Sequence, residues 1–307
     1  MVSMKEDATN TLAPRPLTMD RLGERDELIL AQSTSQCCRC CCFQPSINWV
    51  VAEGNNFEPG TNPYALDSVG WIHEESGWCD RTWSWILPGC RATKYVQHSG
   101  PPPASIMGEN QGWFTCQTGD TPTGLEENDR QANVVAIHEK KSTCGHCWTF
   151  MVPIPICNCV PSPYLETTNA ETGQVVGMTL YVCDMCCFVP KYDIFDASGN
   201  KIYRLRPDTC IAGCCVQCRC DGKKGKCFRV PFYLRDPNTF DQLATAFDRI
   251  KAQVDVLWAG WKHECCTKKN AYHIVFPMDI TTDQKLVIMG SNLLVDITMF
   301  EQEDDDN

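Results

Sequence analysis

Residues 284–302 read QKLVIMGSNLLVDITMFEQ and are apolar around most of a helical circumference. Such a helix has no face to offer water, so either protein or bilayer must enclose it. Thr281 followed by Gln284 forms the capping-box pair that starts a helix. The longest unbroken apolar run within the segment is Leu286–Met289, because Gly290, Ser291, Asn292 and Asp296 interrupt the rest. A helix from Asp283 to Phe300 would be about 27 Å long, against a hydrocarbon core of about 30 Å. Asp296 inside a bilayer would cost roughly 2.5–3.5 kcal/mol. The preferred reading is a helix buried in a protein core, marked by Lys285, Gly290, Leu294, Asp296 and Phe300. Insertion of the same helix into a membrane is the alternative.

The chain has 307 residues, 43% of them hydrophobic and 21% charged, a globular composition. A net charge of −11 gives the molecule as a whole no attraction for nucleic acid or an anionic bilayer. Any such contact must come from a local basic patch. Cysteine usage is the outlier, with 23 residues, many of them adjacent. In a secreted chain this would be a disulfide framework. The opening MVSMKEDATNTLAPRPLTMDRLGERDELIL instead has acids and prolines where the apolar region of a secretory signal would lie. The expectation is a reducing compartment, with thiols buried, metal-bound or acylated.

Residues 1–35 read as a polar N-terminal arm, and residues 36–307 as one domain with Cys-rich loops. INWVV, VGWIHEE and RTWSWILPGCRATKYVQH suggest strands separated by turns, and Ala132–His138 suggests another. Ser99–Ser105 and the acidic Thr118–Gln131 read as loops. From Pro163 the chain nearly repeats itself, PYLETTNAETGQVVGMTLYVCDMCC being followed by PKYDIFDASGNKIYRLRPDTCIAGCC. Each unit is a hairpin turning at AETG or DASG, so an antiparallel, mainly β domain is expected. Phe240, Leu243, Phe247, Ile250 and Val254 stand at helical spacing, which predicts an amphipathic helix over Thr239–Ala252.

Three features resemble the phospholipid scramblase family, a branch of the tubby-like fold: PKYDIFDASGNKIYRLRP, the following CIAGCCVQCRC, and YHIVFPMDITTDQKLVIMGSNLLVDITMFEQ. The similarity is good from about Tyr181 to Gln302 and weaker over residues 36–160. It implies a tubby-like antiparallel β-barrel of about twelve strands around a central apolar C-terminal helix. It also implies S-acylation of the cysteines after Arg-Pro, here Cys210, Cys214, Cys215, Cys218 and Cys220. The run Cys37, Cys38, Cys40, Cys41 and Cys42 is a second candidate. Two or more acyl chains anchor stably where one does not.

The family's calcium segment corresponds to KKNAYHIVFPMD, where Lys268 and Lys269 replace acids and Asp279 alone keeps a carboxylate. Calcium takes about six to eight oxygens, several of them anionic, so calcium binding here is not expected. The lysines make two basic clusters instead: Lys223, Lys224 and Lys226 with Arg229, and Lys262, Lys268 and Lys269. Brought together they could hold anionic headgroups; apart they are a solvated rim. Cys144 and Cys147 with His146, then Cys157 and Cys159, and the Cys183–Cys186 pair could supply structural zinc sites instead of acylation sites.

The six histidines are scattered, and neither Gly-x-Ser-x-Gly nor a phosphate loop occurs, which argues against a conventional enzyme. Three functions stay open. The first is a scramblase-like protein binding or translocating phospholipids at the cytosolic face of a membrane, the plasma membrane first, without calcium. The second is an acyl-tethered adaptor binding phosphoinositides. The third is a structural subunit with protein partners at the Trp-rich region 43–95. No nucleic-acid partner is expected.

Overall fold

The computed structural model describes residues 15–33, 46–55, 57, 62–77, 92–104, 106, 125–141, 162–182, 189–210, 215–216, 229–247, 251–257 and 270–300. The Cys37–Cys42 run, Cys144, Cys147, Cys157, Cys159, Cys183, Cys186, Cys214, Cys218, Cys220 and the lysines of both basic clusters lie outside these residues. The near-repeat forms two adjacent hairpins, β6 (Tyr164–Asn169) with β7 (Gln174–Val182) and β8 (Lys191–Asp196) with β9 (Lys201–Pro207). Their turns are set locally. Gly173 and Gly199 take positive φ, which glycine adopts without steric cost, and the Asp196 carboxylate accepts the Ser198 and Asn200 amides. Along β6, Leu165, Thr167 and Asn169 are buried while the alternate residues are partly exposed, the period of a strand with one covered face.

Twelve strands close into an antiparallel barrel. Ahead of the hairpins come β1 (Glu27–Gln32), β2 (Trp49–Glu53), β3 (Ser68–Glu75), β4 (Thr93–Ser99) and β5 (Val134–Lys140). After them β10 (Thr209–Cys210) and β11 (Cys215–Val216) form a separate two-stranded sheet. The barrel resumes with β12 (Arg229–Arg235), β13 (Gln253–Leu257) and β14 (Ala271–Val275), and closes where β14 pairs with β1. Register shifts interrupt the β2–β3, β4–β5, β6–β7 and β8–β9 ladders, local bends that help a sheet curl and close.

Three α-helices accompany the strands: α1 (Met19–Gly23), α2 (Glu127–Gln131) and α3 (Thr282–Val295). The last continues as one π-helical turn, Asp296–Phe300. Helix α3 fills the lumen, and every residue from Lys285 to Val295 is buried. Leu286, Val287, Ile288, Met289, Leu293 and Leu294 share one apolar cluster with inward residues of the wall, such as Leu30, Val51, Leu165, Ile194, Phe232 and Ile274. The capping box is formed as expected, Thr281 Oγ1 accepting the Gln284 amide and Gln284 Oε1 accepting the Thr281 amide. No helix among the described residues is long and apolar enough to cross a membrane.

Three local expectations are corrected. Strand β1, ELILAQ, lies within residues 1–35 but is buried along its whole length, so the barrel begins inside the segment set apart as a polar arm. Leu28 and Leu30 face the lumen cluster. Ile29 and Ala31 join Ala52, Leu257 and Ala271 in a second cluster, covered by Phe57, Tyr64 and Leu66. The predicted helix over Thr239–Ala252 is not formed in its described part. Leu243 donates its amide to Leu234 O and accepts the Ala252 amide, so it is fixed between β12 and the approach to β13, while Phe240 takes φ 62°. Tertiary pairing overrides helical spacing here. The acidic loop Thr118–Gln131 ends in α2, a single short turn of helix.

Candidate functional site

An antiparallel barrel sends alternate connections to opposite ends. The registers put residues 15–26, the β2–β3, β4–β5, β6–β7, β8–β9 and β12–β13 connections and the turn into α3 at one rim, the entry rim. The β1–β2, β3–β4, β5–β6, β7–β8, β9–β12 and β13–β14 connections leave from the other. Every cysteine in the sequence except Cys116 falls in one of those last six connections. So do Lys223, Lys224 and Lys226, between β9 and β12, and Lys262, Lys268 and Lys269, between β13 and β14. Strands β12 and β13 are neighbours, with Arg229 paired to Leu257, so both lysine-bearing connections adjoin these two strand ends. This second rim is called the cysteine rim below.

The helix that joins the two rims is held by polar contacts at successive levels. At the entry rim Lys285 Nζ donates to Leu22 O, Gly23 O and Arg25 O, at 3.2, 2.8 and 2.5 Å, and lies 5.4 Å from the Phe276 ring centroid. Three donors thus meet three carbonyls at the end of α1. Burial lowers the Lys285 pKa, and nearby Asp26 opposes the shift. One turn further, Gly290 allows the wall to approach. A Cβ there would stand 2.7 Å from Thr167 Oγ1 and 2.8 Å from His138 Nδ1. Close approach was expected from the sequence, but side chains rather than a neighbouring backbone fill the space. The wall has its own small residue at Gly177, where a Cβ would stand 2.8 Å from Val287 Cγ2.

His138 bridges Thr167, at 3.1 Å, and Gln97, at 3.2 Å. The Gln97 oxygen can only accept, so Nε2 carries the proton and Nδ1 accepts from the threonine hydroxyl. Full burial pushes the His138 pKa down to about 3. Ser291 donates to Val287 O and so accepts from Thr179, 2.7 Å away. Thr298 donates to Leu294 O and accepts from Tyr192 at 2.6 Å. Asp296, buried beside the cysteine rim, accepts from Tyr272 and Asn270 at 2.7 and 2.8 Å. Burial first, and then this carboxylate, raise the Tyr272 pKa well above the ordinary phenol value. Each polar interruption in the helix but one is thereby matched. The Asn292 side-chain amide is fully buried and finds no partner among the described residues.

Sequence reading missed a second polar cluster on the outer wall. His98 Nδ1 donates to Ala132 O at 2.7 Å, and its Nε2 lies 3.0 Å from His73 Nδ1. Trp71 stacks on His98 at 3.8 Å. Glu75 is reached by His73, Lys94 and Arg130, which hold its carboxyl well below the ordinary range, the His73 contact being the largest cause. Burial lowers the His98 pKa to about 4. Strands β3 and β4 bring together His73 and His98, which no local motif announces, and the cluster fastens α2 to the wall. Two tryptophans of the region 43–95 are occupied in this way: Trp71 under His98 and Trp49 in the lumen against Tyr272. Neither is free to serve as a contact surface. Asp279, the remaining carboxylate of the calcium-like segment, sits in the exposed turn between β14 and α3.

A family model described as Scramblase matches residues 231–302, from β12 to the end of the central helix. Among curated proteins the chain is similar to Phospholipid scramblase 1 of Rattus norvegicus, 22% identical over 188 residues, 61% of this chain and 46% of that protein. Its similarity to Phospholipid scramblase 1 of Mus musculus is 22% over 188 residues, 61% and 47% of the two chains. For Phospholipid scramblase 1 of Homo sapiens it is 23% over 187 residues, 61% and 48%. The matched part is thus just under half the length of these relatives. No solved structure matches the chain.

Proposed function

We propose, from the premise that this chain belongs to the phospholipid scramblase family, that it binds or translocates phospholipids at the cytosolic face of a membrane, the plasma membrane first. The observation that carries this reading is the polarity of the barrel. Six connections leaving one rim contain every cysteine but Cys116, and two of them contain the paired lysine clusters. Acyl chains on Cys37–Cys42 and on Cys210–Cys220 would then engage one bilayer from one side of the molecule. Two such signals give stable residence where one chain alone is marginal. Lys223, Lys224, Lys226, Lys262, Lys268 and Lys269 would meet anionic headgroups at that surface, each contributing about 1 kcal/mol. Lysines in place of the family's acids make the activity independent of calcium in this reading.

A filled lumen favours one variation. Because α3 occupies the barrel interior, a lipid headgroup has no route through it, and the protein would act on a bilayer from outside or bind it as an acyl-tethered adaptor for phosphoinositides. Both versions need the thioester anchor and neither needs a conventional catalytic group.

Cell fractionation tests the anchor. Release by neutral hydroxylamine, which cleaves thioesters, but not by alkaline carbonate is the expected result. Retention through both treatments would put residues 285–300 in the bilayer and overturn it. A wholly soluble protein would remove both membrane readings and leave the assembly subunit. Dithionite quenching of labelled lipid in proteoliposomes, with and without calcium, then separates translocation from binding.

A further inference from the structure

The large apolar side chains that are exposed among the described residues are Val175, Phe240, Phe247 and Met278, at 48, 49, 38 and 53%. All four lie at the entry rim, in the half that runs from β7 to β14. Phe240 and Phe247 belong to the β12–β13 connection, and Met278 to the turn into α3. The two segments touch, the Met278 amide donating to Ala244 O at 3.0 Å. Each holds a non-glycine residue in the left-handed region, Phe240 at φ 62° and Asp279 at φ 60°. For a bulky aromatic that backbone is unfavourable. Here it directs a ring outward instead of into the core.

From these features we infer that the entry rim is a second lipid-contacting surface, one that docks on a zwitterionic bilayer through Phe240, Phe247 and Met278. The apolar groups stand on protruding turns, a shape suited to a deformable partner. The charges around them select the headgroup. Asp236, Asp241 and Asp279 border the two segments, and the neighbouring cations are largely engaged, Arg204 and Lys201 with Asp193 and Arg235 with Asp208. Asp236 is held ionised by the amides of Thr239 and Asn238. A carboxylate fringe repels anionic lipid and suits the quaternary ammonium of a choline headgroup, which aromatic rings also attract. This surface is chemically opposite to the lysine-bearing rim and needs no acyl chain. The inference rests on the lipid-binding reading above but concerns the other end of the barrel.

The test uses the full chain after neutral hydroxylamine has removed any thioester-linked acyl groups, so its outcome is independent of the cysteine anchor. Flotation with vesicles of pure phosphatidylcholine should recover the protein, and added phosphatidylserine should weaken the association. A Phe240→Asn, Met278→Gln double variant should lose about tenfold or more in partitioning, since it removes apolar surface that is already half exposed. Asparagine tolerates the left-handed backbone at 240, so thermal unfolding should stay unchanged. Failure of the deacylated chain to float with phosphatidylcholine would overturn the inference. So would equal partitioning by the double variant, or an affinity that rises with phosphatidylserine, which would place the contact on the lysine-bearing rim. Whether residence in cells depends on thioesters bears on the cysteine rim alone.

Discussion

At the scale of single residues, the central helix shows how buried polar groups lock a fold into one arrangement. Lys285 stands in the first turn of α3, where the helix dipole disfavours a cation, and is retained because three carbonyls need its protons. Lys285→Met should lower stability by about 2–3 kcal/mol in denaturant titrations, because the carbonyls at the end of α1 would be left unpaired. Asn292→Leu should act in the opposite direction. Its amide has no partner among the described residues, so an apolar side chain of similar volume should be neutral or stabilising by about 1–2 kcal/mol. His138 supplies a pH dependence. Its imidazole is neutral in the folded protein and takes up a proton on unfolding below its unfolded pKa of 6.5. Stability is therefore full above pH 6.5 and should fall by about 1.4 kcal/mol per pH unit as pH drops toward about 3, where the folded-state pKa lies. Urea unfolding across this range should show that limb, flattened in a His138→Asn variant.

At the scale of elements, those whose contacts are local were legible. The capping box of α3 and the AETG and DASG turns each lie within a few residues of the groups they satisfy. Thr281→Ala should cost about 1 kcal/mol in thermal or chemical unfolding by removing the oxygen that accepts the Gln284 amide. The elements that were misread depend on distant partners. ELILAQ looked like part of an arm because acids, arginines and prolines surround it, yet it supplies the strand that closes the barrel between β2 and β14. Phe240, Leu243 and Phe247 have helical spacing, but Leu243 is bonded to Leu234 and Ala252, and both phenylalanines project outward. Periodicity reports which side chains are apolar, and here the apolar set serves a rim as well as a core.

For the whole molecule, closure of the sheet organises chemistry that is dispersed along the sequence. The Cys37–Cys42 run and Cys210–Cys220 are far apart in the chain, yet their connections leave the same end of one barrel. If both act as anchors, replacing either run by serine should leave a weakly and reversibly bound protein. Replacing both should release it fully into the soluble fraction, read by fractionation and by acyl-exchange labelling. The family resemblance was strongest over Tyr181–Gln302, and the family match at 231–302 covers the part where β12, β13, β14 and the central helix assemble.

The sequence by itself determined the hairpins, the capped start of α3 and the need to enclose an apolar helix broken by Ser291, Asn292 and Asp296. Those features depend on side-chain type and near neighbours, and both can be read along a chain. Only the tertiary structure decided what encloses the helix and which partner each polar interruption receives. It alone brought His73 to His98, put Glu27 in line with Val275 to close the barrel, and divided the connections between a cysteine rim and an entry rim. These outcomes depend on strand register and on pairing between residues distant in sequence, for which no local pattern stands as a sign.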